Sequence, residues 1–347
     1  MLLPFGSDVP YALIPGTPAV MVFFVLSGVV LAIGPLACMA RHRDYPWFAY
    51  FPRRVIRLCI PMFVAIAFGV FAGFVSLRLG ADTHAARAVD FSSGLRTIVH
   101  DVLMQFDVLF NVSDDSVTLY GVHQTRANSP IWSMSWELWF SLTLPLAIAC
   151  ISRIRRERAA VACIFAAIFI SYWSGYFPLR LCLMFWLGVI IAKHLGELSK
   201  TRLRRPTELA CLAVALLAIE APLANQLGIF GDALRQNVLA QAAFSTTMCA
   251  AACALVALCA TDGLLRKLFS SQPLQLMGTL SFSLYLTHII IIAGLRALLP
   301  RFGIGDPLLQ AALAVAICLV GAAIFWRAID RPSIKLSHAV RTDLTGD

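Results

Sequence analysis

A carboxylate lies within a stretch of apolar and aromatic residues that otherwise has the composition of a membrane helix. Ser133, Glu137 and Ser141 recur every four residues and therefore share one face of that helix. An ionisable group in hydrocarbon is costly, so its default explanation is functional, and the alternative is a structural ion pair or hydrogen-bond anchor between helices. Glu137 is accordingly a candidate catalytic residue. Three tryptophans flank this face and are typical of an aromatic belt at the outer interface: Trp132, Trp136 and Trp139.

A second polar face lies in a later apolar stretch. Ser281, Tyr285 and His288 are spaced as i, i+4 and i+7, which also places them on one side of a helix. An imidazole titrates near neutral pH and suits proton abstraction, so His288 is the second candidate catalytic residue. A histidine that is merely satisfied by packing explains the pattern equally well. We predict that the two polar faces meet inside a helix bundle.

Three arginines mark the start of another apolar stretch. Arg54 and Arg57 are three positions apart and are neighbours on a helix, with Arg53 beside them. Guanidinium groups grip phosphate through paired hydrogen bonds, which makes this cluster a candidate site for a phosphorylated ligand. The simpler alternative is a basic anchor at the cytoplasmic membrane surface.

These groups lie in a chain built of apolar stretches long enough to cross a bilayer as helices. Of its 347 residues, 59% are hydrophobic and 14% are charged, with a mean hydropathy of +0.79. The pattern predicts an all-α, polytopic membrane helix bundle in which residues 1–347 form a single domain. The nine predicted transmembrane helices are residues 18–40, 56–78, 131–151, 159–174, 178–195, 208–226, 238–260, 278–299 and 307–328.

The basic residues orient the spans, because cytoplasmic loops are enriched in Lys and Arg. Of the 28 Lys and Arg, eight fall on what is then the outer side: Arg78, Arg87, Arg96, Arg126, Arg180, Arg235, Arg296 and Arg301. The others alternate with them loop by loop, so the C-terminus is predicted to be cytoplasmic. The net charge of +9 thus reflects membrane orientation. We expect membrane lipids, and no nucleic acid, as partners.

Cysteine and histidine spacing gives no sign of a metal site. The ten cysteines lie in or beside the apolar spans, and the sequence contains no Cys-x-x-Cys pair or Cys/His cluster. We therefore expect the cysteines to pack as small apolar residues, and we expect no metal.

The outer segment 79–130 differs from the short, Arg-rich inner loops. It carries six Asp against three Arg. Its middle, Leu95 to Phe110, has apolar residues at helical spacing but is too short and too polar to span a membrane. We predict an extracytoplasmic loop with an interfacial helix, and loops of this length are often functional.

Five short segments, read in order, resemble the acyltransferase-3 family of integral-membrane O-acyltransferases, which modify lipopolysaccharide, exopolysaccharide and related cell-surface glycans. The segments are Phe23–Gly28, the Arg54-x-x-Arg57 pair with Pro61, Trp132–Phe140 with its Ser133, Ser135 and Glu137, Ser281–His288, and Asp330-Arg331-Pro332. The resemblance runs from about residue 19 to about residue 335.

The resemblance implies a bundle of ten helices in the bacterial inner membrane. The donor would be cytoplasmic acyl-CoA, expected to be acetyl-CoA and used as a substrate with no bound cofactor, held by Arg53, Arg54 and Arg57. The acceptor would be a hydroxyl of a saccharide or glycolipid reached from the outer side. Glu137, Ser133 and Ser135 would orient the acceptor or brace the channel, and the remaining channel residues would be Trp132, Ser281 and Tyr285, with His288 near the thioester.

Two departures from the family pattern bear on activity. The family's first helix carries an Arg and the His that takes the acceptor's proton, and this chain is expected to begin after that helix. One additional residue separates Arg57 from Pro61. We therefore expect impaired transfer unless His288 or Glu137 substitutes as the base, since a positioned base contributes about 10² to 10⁴ in rate. The alternatives are a transporter or flippase in which Glu137 and His288 relay protons, and a truncated, catalytically dead acyltransferase.

Overall fold

A computed structural model describes residues 16–81, 83–106, 116–119, 122–125, 127–174, 177–226 and 237–345. The described residues are mostly helical, as the apolar stretches predict, because a helix in lipid satisfies its own backbone hydrogen bonds. Two predictions lie wholly or partly outside these residues. The first is that the chain begins after the family's first helix, which concerns the segment before residue 16. The second is the interfacial helix, of which residues 107–110 are not described.

Fourteen α-helices lie within the described residues. In chain order they are α1 Gly16–Ala40, α2 Trp47–Arg78, α3 His84–Arg87, α4 Leu95–Phe106, α5 Trp132–Arg153, α6 Glu157–Ser174, α7 Phe177–Lys193, α8 Leu195–Leu198, α9 Arg205–Gln226, α10 Val238–Ala260, α11 Leu264–Phe269, α12 Gln272–Leu298, α13 Pro307–Phe325 and α14 Arg331–Thr345.

Seven helices among the described residues are long and apolar enough to cross a bilayer: α1, α2, α5, α6, α10, α12 and α13. They coincide with seven of the predicted spans. The other two predicted spans, residues 178–195 and 208–226, coincide with α7 and α9, which have 17 and 22 residues. The prediction of a multi-pass helical membrane protein is confirmed, while the count of nine spans stays a prediction.

Contacts between helices divide the chain into two compact units. Unit 1 consists of Trp47–Trp139 and Leu276–Asp347, and unit 2 includes Tyr11–Pro46 and Phe140–Gln275, in each case as far as these residues are described. Unit 1 contains the arginine cluster, Glu137 and His288. The geometry of the candidate site is therefore a property of unit 1.

Glycine allows α1 and α7 to cross closely in unit 2. A Cβ atom built on Gly28 would overlap the carbonyl oxygen of Phe185, and one built on Gly188 would overlap that of Val25. Small residues let helix backbones approach, and such packing drives association in lipid, where apolar burial adds no force between helices. The Phe23–Gly28 segment, one part of the resemblance described above, therefore serves helix packing.

Replacing Gly28 by Ala should lower the free energy of unfolding by about 1 to 3 kcal/mol, because the added methyl group forces the two helices apart. Thermal unfolding of the detergent-solubilised protein measures this loss. Gly278→Ala is the matched control, since a Cβ atom on Gly278 meets no atom within 4 Å and alanine is the better helix former. Equal stability of the G28A variant and the wild-type protein would contradict the close crossing.

In unit 1, buried polar side chains of α4 form hydrogen bonds with backbone groups elsewhere in the outer segment. Gln105 donates to the Ala88 carbonyl oxygen at 3.2 Å and accepts from the Ala127 N–H at 2.8 Å. Asp101 accepts from the Asp90 N–H at 3.1 Å. The exposed residues of α4 include the apolar Leu95, Val99 and Leu103 beside the polar Arg96, Thr97 and His100. The predicted helix is thus confirmed over Leu95–Phe106, and its position at the membrane interface stays a prediction.

A short hairpin follows α4 and was not predicted from the sequence. Strand β1, Ser116–Leu119, pairs antiparallel with strand β2, Val122–Thr125, so that Ser116 lies opposite Thr125. It is a local feature of the outer segment, and the fold class remains helical.

The last span does not end where the apolar run ends. Helix α13 continues through a π-helical turn, Trp326–Asp330, into α14, which packs along α2. Ser333 and Ser337 are buried on α14 and have the small side chains that close helix packing requires. Single π-turns often mark functional positions, and Asp330 lies buried at the end of this one.

Candidate functional site

The site begins where the outer segment turns into α5. Ser129–Ile131 form one 3₁₀ turn, and Pro130 is tolerated there because the first N–H groups of a helix have no partner within it. Helix α5 follows at Trp132. The predicted polar face is buried, with Ser133, Glu137 and Ser141 exposed by 0%, 5% and 0%. The carboxylate therefore lies inside the protein and away from lipid.

The buried carboxylate is paired with the arginine cluster. An Nη2 hydrogen of Arg54 donates to Oε1 of Glu137 at 2.7 Å, and the two side chains are exposed by 11% and 7%. A charge-assisted hydrogen bond of this length is among the stronger kinds in proteins. Two groups that the sequence identified separately, 83 residues apart, are thus one ion pair.

A second acid lies near the next arginine. Arg57 interacts electrostatically with Asp330 as well as with Glu137. Asp330 is 3% exposed, and its Oδ2 atom accepts a long hydrogen bond of 3.4 Å from the Ser283 hydroxyl of α12. Carboxylates from α5 and from the π-helical turn therefore lie near two of the three arginines of the cluster, Arg54 and Arg57.

The two predicted polar faces do meet. The hydroxyl oxygens of Ser133 and Tyr285 lie 2.6 Å apart, and the Tyr285 hydroxyl donates to the Pro130 carbonyl oxygen at 2.7 Å. The Asn128 side chain reinforces this junction, because its amide nitrogen donates to the Leu286 carbonyl oxygen at 2.9 Å. Hydrogen bonds thus join the N-terminal turn of α5, and the residues just before it, to the middle of α12.

His288 lies one turn beyond Tyr285 and is partly buried. Its Nδ1 atom lies 3.0 Å from the Leu284 carbonyl oxygen and 2.9 Å from that of Tyr285. Since both neighbours are acceptors, the neutral ring carries its proton on Nδ1, and its lone pair is on Nε2. This tautomer is the one in which Nε2 can accept a proton.

The other predicted site residues fall into different surroundings. Ser135 is fully buried, whereas Ser281 is exposed and donates to the Gly278 carbonyl oxygen of its own helix at 2.7 Å. Ser281 is therefore outside the hydrogen-bonded junction, and Ser283 is the serine of α12 that contacts an acid. Trp132 is partly buried at the start of α5. The channel roles of these residues stay predictions.

The third arginine has a different neighbour. Nη2 of Arg53 lies 3.2 Å from Nδ1 of His338, an exposed residue of α14. This contact joins the arginine cluster to the C-terminal helix. The sequence analysis did not single out His338, because a lone histidine after the last span gives no pattern.

Together these contacts form a polar track through unit 1. It runs from Arg54 to Glu137, then one helical turn along α5 to Ser133 and across to Tyr285. Guanidinium groups at one end can bind phosphate, and hydroxyl groups and an imidazole at the other can bind a hydroxyl compound and move its proton. Within the described residues, no three His, Cys, Asp or Glu residues are grouped so that they could hold a metal ion.

Comparison with known proteins identifies one protein family that this chain matches. The acyltransferase-3 family model, described as an acyltransferase domain, matches residues 2–327. The match includes every residue that the sequence analysis assigned to the site. No curated protein and no solved structure gave a significant match.

Proposed function

Because this chain belongs to the acyltransferase-3 family, we propose that it transfers an acyl group, expected to be acetyl, from cytoplasmic acyl-CoA to a hydroxyl of a cell-surface saccharide or glycolipid. The enzyme would act in the bacterial inner membrane, with the C-terminus in the cytoplasm. The observation that carries the proposal is the Arg54–Glu137 pair, since it joins the basic cluster to the buried polar face within one unit.

In the proposed reaction the phosphates of coenzyme A lie against the arginines of α2. Arg57 is exposed, and Arg53 is partly exposed, so both are open to a ligand. Glu137 keeps Arg54 oriented and, with Ser133, orients the acceptor. Holding the thioester and the hydroxyl together in a water-poor passage supplies proximity, which is a large part of the catalysis of a two-substrate reaction.

The transfer itself breaks one bond and forms another. The acceptor hydroxyl oxygen attacks the thioester carbonyl carbon, the C–S bond breaks, and the new C–O bond is that of the ester product. Nε2 of His288 takes the hydroxyl proton and returns it to the departing thiolate of coenzyme A. The Nδ1 contacts with the carbonyl oxygens of Leu284 and Tyr285 keep Nδ1 protonated throughout, so Nε2 is the atom that takes and returns the proton.

Labelled acyl transfer tests the proposal directly. Membranes from cells with and without the gene are given acetyl-CoA labelled in the acetyl group, and label in the saccharide fraction is measured. We expect label only with the gene. Arg57→Ala should raise the KM for acetyl-CoA or abolish turnover, because it removes a cation from the expected phosphate site.

The matched control is Arg202→Ala, an exposed arginine of an inner loop in unit 2. This variant should transfer label as the wild-type protein does. Gene-dependent movement of a solute or lipid across the membrane without label in saccharide would contradict the proposal in favour of a transporter.

A further inference from the structure

The charge of the arginine cluster is too small for the donor that the proposed function assigns to it. Three arginines face two carboxylates, Glu137 and Asp330, which leaves a formal surplus of one positive charge. Coenzyme A carries a phosphomonoester of about −1.5 to −2 and a diphosphate, so its charge near neutral pH is about −4. The guanidinium group of Arg54 already forms an ion pair with Glu137, which limits its contribution to phosphate binding. Further cations are needed to match the donor.

Helix α14 carries basic residues next to the cluster. Arg331, Lys335 and His338 are spaced as i, i+4 and i+7, so they form one face of the helix over about 10 Å of its axis. All three side chains are exposed. None of the ion pairs found among the described residues involves them, and Arg331 lies over the Trp326 ring at 5.6 Å.

This basic face is held at a fixed position beside α2. Ser333 and Ser337 are buried on the side of α14 away from the basic face, with 2% and 3% exposure, and α14 packs against α2. At His338 the face meets Arg53, at 3.2 Å between Nη2 and Nδ1. This contact brings the guanidinium group of Arg53 to one end of the basic face, so that a phosphate group could contact both helices.

We infer that Arg331, Lys335 and His338 of α14, together with Arg53 of α2, form a second phosphate-binding surface for the coenzyme A part of the donor. The inference rests on the proposed function, since it names the residues that complete its donor site. The convergence of cations from two packed helices favours a compact ligand with several phosphates over the diffuse attraction of basic residues to anionic lipid.

Binding of coenzyme A and of 3′-dephospho-coenzyme A to the full-length protein in lipid-free micelles tests the inference by calorimetry. The test variant is Arg331→Gln with Lys335→Gln. We expect it to weaken coenzyme A binding about tenfold, as for the loss of a charge-assisted contact, and to reduce the preference for coenzyme A over the dephospho compound. The control variant is Lys200→Gln with Arg202→Gln, which removes the same charge from exposed residues of unit 2 and should bind as the wild-type protein does.

Three other outcomes are distinguishable. Wild-type affinity in the R331Q/K335Q variant would overturn the inference, because it would show that these two residues do not contribute to coenzyme A binding. Equal losses in both double variants would overturn it in favour of a general effect of net charge. Failure of the wild-type protein to bind coenzyme A would overturn the donor assignment of the proposed function, and the second surface with it.

Discussion

Replacing Arg54 by Leu should lower the free energy of unfolding by about 3 to 5 kcal/mol and abolish acyl transfer. The substitution leaves the carboxylate of Glu137 buried without the cation that it contacts at 2.7 Å, and removing one partner of a buried pair has a cost of this size. Thermal unfolding in detergent measures the first effect. Transfer from labelled acetyl-CoA measures the second.

Two further variants separate the structural role of this pair from its functional role. The double variant R54L/E137L should recover most of the stability, because apolar side chains of similar volume often replace a buried ion pair without loss, but it should not recover transfer. In unit 2, Lys193→Gln breaks a pair with Glu157 in which both side chains are 29% exposed, and it should cost no more than about 1 kcal/mol.

The outcome decides what Glu137 does. A stable and active R54L/E137L variant would reduce Glu137 to an anchor between helices, the alternative that the sequence left open. An R54L variant as stable as the K193Q variant would contradict the buried pairing itself.

The sequence predicted the helices well because their apolar runs are long. Helix α10 occupies Val238–Ala260, the predicted range. The start of α2 was predicted too late, at residue 56 instead of Trp47, because Pro52 and the three arginines resemble a loop. Pro52, the sixth residue of α2, removes one backbone hydrogen-bond donor, a loss that membrane helices tolerate. Long arginine side chains can extend to a polar surface while their stems stay against apolar neighbours.

The candidate site was predicted in parts but not in its pairing. The spacing of Ser133 and Glu137 gives their common face, because that depends only on the helical repeat. The partner of Glu137 depends on how α5 packs against α2, and no local pattern determines that. Asp330 had a weak signal, as an acid between Arg327 and Arg331, whereas the contact of Asn128 with Leu286 had none.

One physical feature explains why these unpredicted contacts cluster. Polar side chains within a membrane bundle need partners, and neighbouring helices are the main source of them. The ion pair of α2 with α5, the hydroxyl contact of α5 with α12 and the hydrogen bond of Ser283 with Asp330 are three such pairings in one unit. A helix that carries one of these groups is therefore constrained in rotation, which positions the others.

Replacing His288 by Asn should lower the rate of acyl transfer by about 10²- to 10⁴-fold, the usual contribution of a positioned general base. Asparagine can place its amide N–H where Nδ1 of His288 contacts the carbonyl oxygens of Leu284 and Tyr285, so the local structure should persist. It has no counterpart of Nε2. The turnover number with saturating acetyl-CoA is the quantity to measure.

Binding and stability provide the controls for this variant. The H288N protein should bind coenzyme A and unfold at the same temperature as the wild-type protein, since the polar contacts found for the His288 ring among the described residues are with carbonyl oxygens of its own helix. His288→Gln is the complementary variant, because it places an amide near Nε2 and loses the Nδ1 contact, and it should also be inactive. A turnover number within about tenfold of wild type in the H288N variant would mean that another group takes the proton, since a general base contributes at least about 10² in rate. The Ser133–Tyr285 junction would then serve to orient the acceptor near a base elsewhere.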